Sequence, residues 1–132
     1  MYWRCPSTIY KLNNIGFSFS KIVLANSNIK HYNIIMNTLS FTWDANKAKS
    51  NLAKHGVSFE EAQSAFDDLF ARLIPDPDHS KEEERFILLG LSITGNELVV
   101  SHCYRDNATT IRLISARKAT KNEANEYWRF RK

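Results

Sequence analysis

Between residues 85 and 115 the chain spells three runs that must pair as strands. These are Arg85–Ser92, Glu97–Arg105 and Thr109–Ser115, divided by Thr94-Gly-Asn96 and Asp106-Asn107. Connections this short and rich in turn formers allow only hairpins, so an antiparallel meander is expected. Phe86-Ile-Leu-Leu89 is apolar at consecutive positions, hence on both faces of its strand. A strand buried on both sides needs layers above and below it, and the flanking segments must supply helices.

Those helices are announced by their ends. Asp44 is placed to cap a helix running to about His55, with Ala45, Ala48 and Leu52 on one face and Gly56 as its left-handed terminator. Ser58-Phe-Glu-Glu61 and Thr120-Lys-Asn-Glu123 both read as capping boxes, in which hydroxyl and carboxylate each satisfy a free backbone N–H. The first launches a helix with Ala62, Ala65, Phe66 and Leu69 inward; the second a terminal helix with Ala124, Tyr127 and Trp128 in one stripe. Short strands are expected at Leu39–Trp43 and near Phe70–Ile74, the latter running into the rigid turn Pro75–Ser80. The order is β-α-α-β-β-β-β-α, an α+β domain with an antiparallel sheet packed by helices.

Residues 1–35 have a different character. They contain four basic residues and no acid, are rich in Asn, Ile, Ser and Tyr, and keep neither helical nor strand periodicity. Met36 opens the compact pattern and is read as the start of the domain 36–132, with 1–35 a poorly ordered or non-native extension. The alternative is a segment that docks aromatics such as Phe17 and Phe19 on the domain.

The net charge of +4 is that of residues 1–35 alone. Within the remainder, residues 36–104 carry −5 and those from Arg105 onward +5, a local concentration of cations suited to phosphate. Cys5 and Cys103 make no metal-ligand or redox spacing, which fits a reducing cytoplasm. No apolar run approaches the ~20 residues of a membrane-spanning helix.

No P-loop, dinucleotide fingerprint, metalloprotease motif or nucleophile elbow is present, and the His and carboxylate spacings imply neither metal nor cofactor. What remains is a set of cations at strand and helix ends: Lys47, Lys54, His55, Arg85, His102, Arg112 and Arg117. Such a set suits metal-free RNA cleavage. The 2′-OH attacks phosphorus, arginines stabilise charge growing on the phosphate oxygens, and a histidine moves protons. Each has a plainer reading as well. Lys54 and His55 stabilise a helix C-terminus, Arg85 and Arg112 suit ion pairs, and His102 suits a core histidine. Arg117 is the least easily explained by packing.

The chain resembles the BrnT toxins of type II toxin–antitoxin systems. The likeness lies in Phe41-Thr-Trp-Asp44, Asn51-Leu-Ala-Lys-His-Gly-Val-Ser-Phe-Glu-Glu-Ala62, Asp76-Pro-Asp-His-Ser80, Glu84-Arg-Phe-Ile87 and Ile111-Arg-Leu-Ile-Ser-Ala-Arg-Lys-Ala-Thr120. It implies a RelE-like fold, a ribonuclease that stops translation, and a BrnA-like ribbon-helix-helix antitoxin through which alone promoter DNA is bound. It matches Lys54, His55, Arg85, Arg112 and Arg117 to the RNA site and Trp43, Phe66 and Leu52 to the core; the reading that results takes His55, Arg112 and Arg117 as catalytic, with Lys54, Arg85, Lys47 and His102 on the RNA. Thr110 departs from relatives that carry a basic residue there, which keeps open a catalytically degenerate module that only binds antitoxin.

Residues 1–35 bury little apolar surface on this reading. Their deletion is expected to change unfolding free energy by less than about 1 kcal/mol, and a drop of several degrees in Tm would overturn that.

Overall fold

A computed structural model describes residues 40–79 and 81–131. The expectations for residues 1–35, and that for Leu39, fall outside them. Strand β1 (Ser40–Thr42) leads into helix α1 (Ala45–His55) and helix α2 (Phe59–Ser64), which tightens into a 3-10 turn at Ala65–Asp67. Strand β2 (Arg72–Pro75) is followed by a 3-10 turn at Pro77–His79. The meander β3 (Arg85–Leu91), β4 (Glu97–Arg105) and β5 (Thr110–Lys118) comes next, then helix α3 (Lys121–Arg131).

The five strands lie in the order β1-β5-β4-β3-β2. The meander pairs antiparallel as expected, but β1 runs parallel to β5, with Phe41 opposite Ile111. The sheet is therefore mixed, correcting the expected antiparallel one. The meander fixes the direction of β5, and β1 reaches its free edge by a crossover through both helices.

One register feature sets the chemistry of the sheet. Ser101 faces Ser115 while the next residue, His102, faces Leu113, so Ile114 is an extra residue bulged out of β5. The bulge shifts the alternation by one. Ile111, Leu113 and Ala116 all enter the core beneath α1 and α2, joining Val57, Phe59, Phe66, Phe86, Leu88 and Val100. Arg112, Ser115 and Arg117 accordingly fall on the opposite face, in register with Cys103, Ser101 and Val99. There α3 covers one end only, burying Tyr127 on Leu89 and Val99.

Local signals work largely as read. Asp44 accepts from the backbone N–H groups of Asn46 and Lys47, and Gly56 takes the left-handed conformation with φ 69°. The Thr120–Glu123 box closes in both directions. The Ser58 box closes in one: its hydroxyl accepts from Glu61 N–H, but the Glu61 carboxylate turns to the β3–β4 hairpin. There it accepts from Ser92 Oγ, Thr94 Oγ1 and Asn96 Nδ2, bonds that lower its pKa, Asn96 foremost. Gly90 is needed for close approach, since a Cβ there would lie 2.9 Å from the Ala65 carbonyl oxygen.

Four packing expectations fail, with Ala45 and Trp128 exposed as well as two leucines. Leu52 is 51% and Leu69 55% exposed. Helix α2 ends at Ser64, so Leu69 lies beyond its stripe. Helix α1 turns Ala48 and Asn51 inward instead of Leu52, because the Asn51 amide has a task at the sheet edge.

β1 pairs with β5 only as far as Arg112, and among the described residues no strand continues along the outer edge of β5 beyond it. The Asn51 side chain fills that gap at Ala116, accepting from its N–H (3.0 Å) and donating to its carbonyl (2.8 Å). A second donor bond reaches Val57 O at 2.9 Å. The primary amide thus stands in for one residue of a neighbouring strand and fixes α1 beside Arg117. Buried backbone groups left without partners cost about 1–3 kcal/mol each. Asn51→Ala should therefore destabilise the fold by about 2–4 kcal/mol in chemical denaturation, and Asn51→Asp at least as much, since its carboxylate would face two carbonyls. A loss below about 1 kcal/mol in both would disprove the clamp.

Candidate functional site

The half of the second face that α3 leaves uncovered forms a groove of about 470 Å³. Ile74, Ile87, Val99 and Ile114 make an apolar floor, and Asp76, His79, Arg85, Ser101, Ser115 and Arg117 make a polar rim. Each polar group arrives by a definite route. The Ser101–Ser115 pair sits at the bulge, and Arg117 reaches the groove because the bulge has re-phased β5. Arg85 opens β3 in register with Cys103. Asp76 closes the β2–β3 connection by donating its N–H to the Arg85 carbonyl at 2.8 Å.

The 3-10 turn after Asp76 brings His79 back over it. His79 Nδ1 lies 3.0 Å from Asp76 Oδ2 and 3.2 Å from Oδ1. Asp76 is buried while the His79 side chain is 66% exposed. A carboxylate partner makes Nδ1 the protonated nitrogen of the neutral ring, and Nε2 is then the nitrogen offered to the groove's solvent side. Residue-by-residue reading passed over His79. The signal available was Asp76-Pro-Asp-His79, where a proline-initiated turn spaces acid and imidazole three apart.

Arg117 is held by a second acid. Its guanidinium makes a bidentate pair with Glu123, at 2.8 and 3.0 Å, and also donates to the Lys118 carbonyl at 3.2 Å. Glu123 is almost fully buried and serves the Thr120 cap with the same carboxylate. The Arg117 hydrogen bonds hold the Glu123 carboxyl below the usual carboxylate range against its burial, and Glu123 in turn raises Arg117. Arg117 is therefore both a wall of the groove and a structural partner of α3, and its removal would strand a buried charge.

The other expected residues are placed elsewhere. Arg112 shares the open face but is not among the groove-lining residues; it sits near Asp44 and Glu83, whose carboxyl pKa values it helps to lower. Their partners on β4, Cys103 and Val99, are four residues apart, so at ~3.3 Å per residue Arg112 stands about 13 Å along the sheet from Arg117, and the two do not share one phosphate. Lys47 lies at the start of α1 and Lys54 and His55 at its end, where the cations face the exposed carbonyls before Gly56. None of the three lines the groove. Thr110 is buried, its hydroxyl 2.9 Å from that of Ser40. Thr110 thus joins β1 to β5 and is not among the groove-lining residues.

His102 is a clear correction. It is fully buried on the helix-covered face, packed edge-on against Phe66 and Tyr104, and reaches no solvent. Nδ1 lies 3.3 Å from the Val100 carbonyl, which requires a donor there, leaving Nε2 to accept from Tyr104 Oη at 3.4 Å. Burial lowers its pKa to about 4. The folded state keeps the ring neutral, whereas the unfolded chain takes up a proton below about pH 6.5. Stability is thus full above pH 6.5 and falls as pH drops toward 4, by about 2–3 kcal/mol between pH 7 and 4.5. Glu123 adds a loss below its ordinary value of 4.5, as pH falls through its lowered folded pKa. Urea unfolding across this range should show the His102 slope, and His102→Gln should remove it. An unchanged slope in that variant would place the proton uptake elsewhere.

No helix among the described residues is long and apolar enough to cross a membrane. No curated protein matches the chain. Among solved structures, the crystal structure of the Brucella abortus ribonuclease toxin BrnT aligns with a TM-score of 0.50 at 24% identity, covering 63% of this chain and 99% of that one. That likeness establishes the fold. The profile of the family described as "Ribonuclease toxin, BrnT, of type II toxin-antitoxin system" matches residues 43–123, a span that begins just after β1 and holds every groove-lining residue and Glu123. The chain belongs to the BrnT family of ribonuclease toxins of type II toxin–antitoxin systems.

Proposed function

We propose that this chain is a metal-independent endoribonuclease that inhibits translation, with the groove beside α3 as its RNA site. The observation that supports it best is the His79–Asp76 pair on the same rim as Arg85 and Arg117. His79 Nε2 takes the proton of a ribose 2′-OH while Asp76 steadies the imidazolium that forms. The 2′-oxygen bonds to phosphorus, the P–O5′ bond breaks, and the leaving 5′-oxygen takes a proton from solvent. The products are a 2′,3′-cyclic phosphate and a 5′-hydroxyl. Arg85 and the outer edge of Arg117 stabilise the charge that builds on the phosphate oxygens. A 2′-OH nucleophile makes DNA a non-substrate.

This assignment moves proton transfer from His55 to His79 and keeps Arg85 and Arg117 on the RNA. Arg112, with Lys47, Lys54 and His55, is left for flanking charge contacts. A RelE-like fold, the cytoplasmic setting, the BrnA-like ribbon-helix-helix antitoxin and promoter binding through that antitoxin belong to the same reading. Thr110, the residue on which the degenerate-module alternative rests, stands apart from the groove on this reading.

Purified full-length chain incubated with RNA in EDTA should yield fragments ending in 2′,3′-cyclic phosphate. His79→Ala, at an exposed side chain, should slow cleavage about 10²–10⁴-fold, and Arg85→Ala about 10²–10³-fold, both with unchanged circular dichroism. Cleavage that requires added divalent metal, or wild-type rates in His79→Ala, would refute the mechanism.

A further inference from the structure

The floor of the groove is divided in two along a single register line. Ile74 on β2 pairs with Ile87 on β3, Ile87 with Ser101 on β4, and Ser101 with Ser115 on β5. Residues in register share a face, and all four line the groove. Crossing the sheet at ~4.8 Å per strand, the row is aliphatic over its first two strands and hydroxyl-bearing over its last two. Ile74, Ile87 and Ser101 are half-buried and Ser115 is exposed, so the whole row is open to a ligand. Among the described residues neither serine hydroxyl has a hydrogen-bond partner. The cleavage chemistry uses neither. The row also runs between the cations assigned to phosphate, with Arg85 and Cys103 in register on one side of it and Val99 and Arg117 on the other.

We propose that this row is a subsite for one unpaired base of the RNA, with Ser101 and Ser115 reading its edge. This rests on the groove being the RNA site. The chemistry of the ligand follows from the division of the row. A base has two apolar faces and a rim of donors and acceptors in one plane, so a base lying on Ile74 and Ile87 aims its rim along the row at the hydroxyls. Each hydroxyl has one proton to donate and two lone pairs to accept with, and the pair matches a rim that presents a donor beside an acceptor. Phosphate suits the row poorly, since half of it is branched aliphatic surface and neither serine is charged; the flanking arginines suit it better. A base within a duplex has its pairing edge occupied, so only an unpaired one fits. Strand spacing fixes the reach from floor to hydroxyls, and a two-ring purine and a one-ring pyrimidine cannot both place their rims on the serines. The arginines and His79 act alike on every nucleotide; the serines make the groove selective.

The test uses the full-length chain and a pool of single-stranded RNA of randomised sequence, with the cut ends sequenced. At one position beside the cut, wild type should favour purines over pyrimidines, or the reverse, by about 10- to 100-fold. The double variant Ser101→Ala, Ser115→Ala should cut the favoured sites no faster than the others, whereas Ser101→Thr with Ser115→Thr, which keeps both hydroxyls on a residue suited to strands, should retain the preference. Ser115→Ala alone, at an exposed side chain, should weaken the preference and decides the matter if the double variant does not fold. Cleavage by wild type without such a preference overturns the subsite. A preference that survives in the alanine variants does so too and leaves the row to a protein partner, with the groove reading standing. Folded alanine variants that cut no site would put the hydroxyls in the chemistry and overturn their reading role. Absence of any cleavage by wild type overturns the RNA reading and the subsite together.

Discussion

An uninterrupted strand sends residues five apart to opposite faces. In β5, Arg112 and Arg117 nevertheless share a face, because Ile114 is squeezed out of the ladder between them. That single extra residue decides which side chains of the last strand are core and which are surface. It keeps Ala116 under the helices and swings Ser115 and Arg117 into the groove. Without it Arg117 would enter the apolar core and Ala116 would face the groove, and neither is tolerable: a guanidinium does not bury among Phe59 and Val100, and a methyl group does not bind phosphate.

The bulge is held on both sides by buried polar groups. Asn51 grips Ala116 from the edge of the sheet, and Glu123 grips Arg117 from the start of α3. Glu61 does similar work at the other end, tying α2 to the β3–β4 hairpin across more than thirty residues of chain. Three polar side chains therefore fasten helices to sheet where apolar contacts would leave them free to slide. The groove inherits that rigidity: its arginine wall is fixed by Glu123, and its histidine by Asp76.

Much of this architecture was legible in the chain. Asp44, Gly56 and the Thr120–Glu123 box mark helix ends through purely local bonds, and the structure places them as expected. The meander was equally plain, because its turns are short. What escaped depends on distant partners. The parallel β1–β5 pairing is a three-residue contact between segments some seventy residues apart, with no local mark. Asn51 sits one residue before Leu52, and hydrophobicity alone prefers the leucine. The bulge flips a face without altering composition, so cations five apart in β5 give no clue that they share a surface. His79 was hidden in a turn, where side-chain direction depends on the backbone path. His102 erred in the other direction: a titratable ring on an apolar strand can be plain core.

Among the described residues the sheet has two ends at which a foreign strand could attach, and both are short. β1 offers three residues and β2 four, the last of them Pro75, which has no N–H to give. The longer edge, β5 beyond Arg112, is interrupted at Ala116 by an amide that already takes its N–H and carbonyl. Exposed ladders of this kind are the usual templates for edge-to-edge aggregation. A sheet whose three central strands are among the most apolar stretches of the sequence is thereby kept from adding a sixth strand, and Asn51, which closes the fold, also closes it to copies of itself.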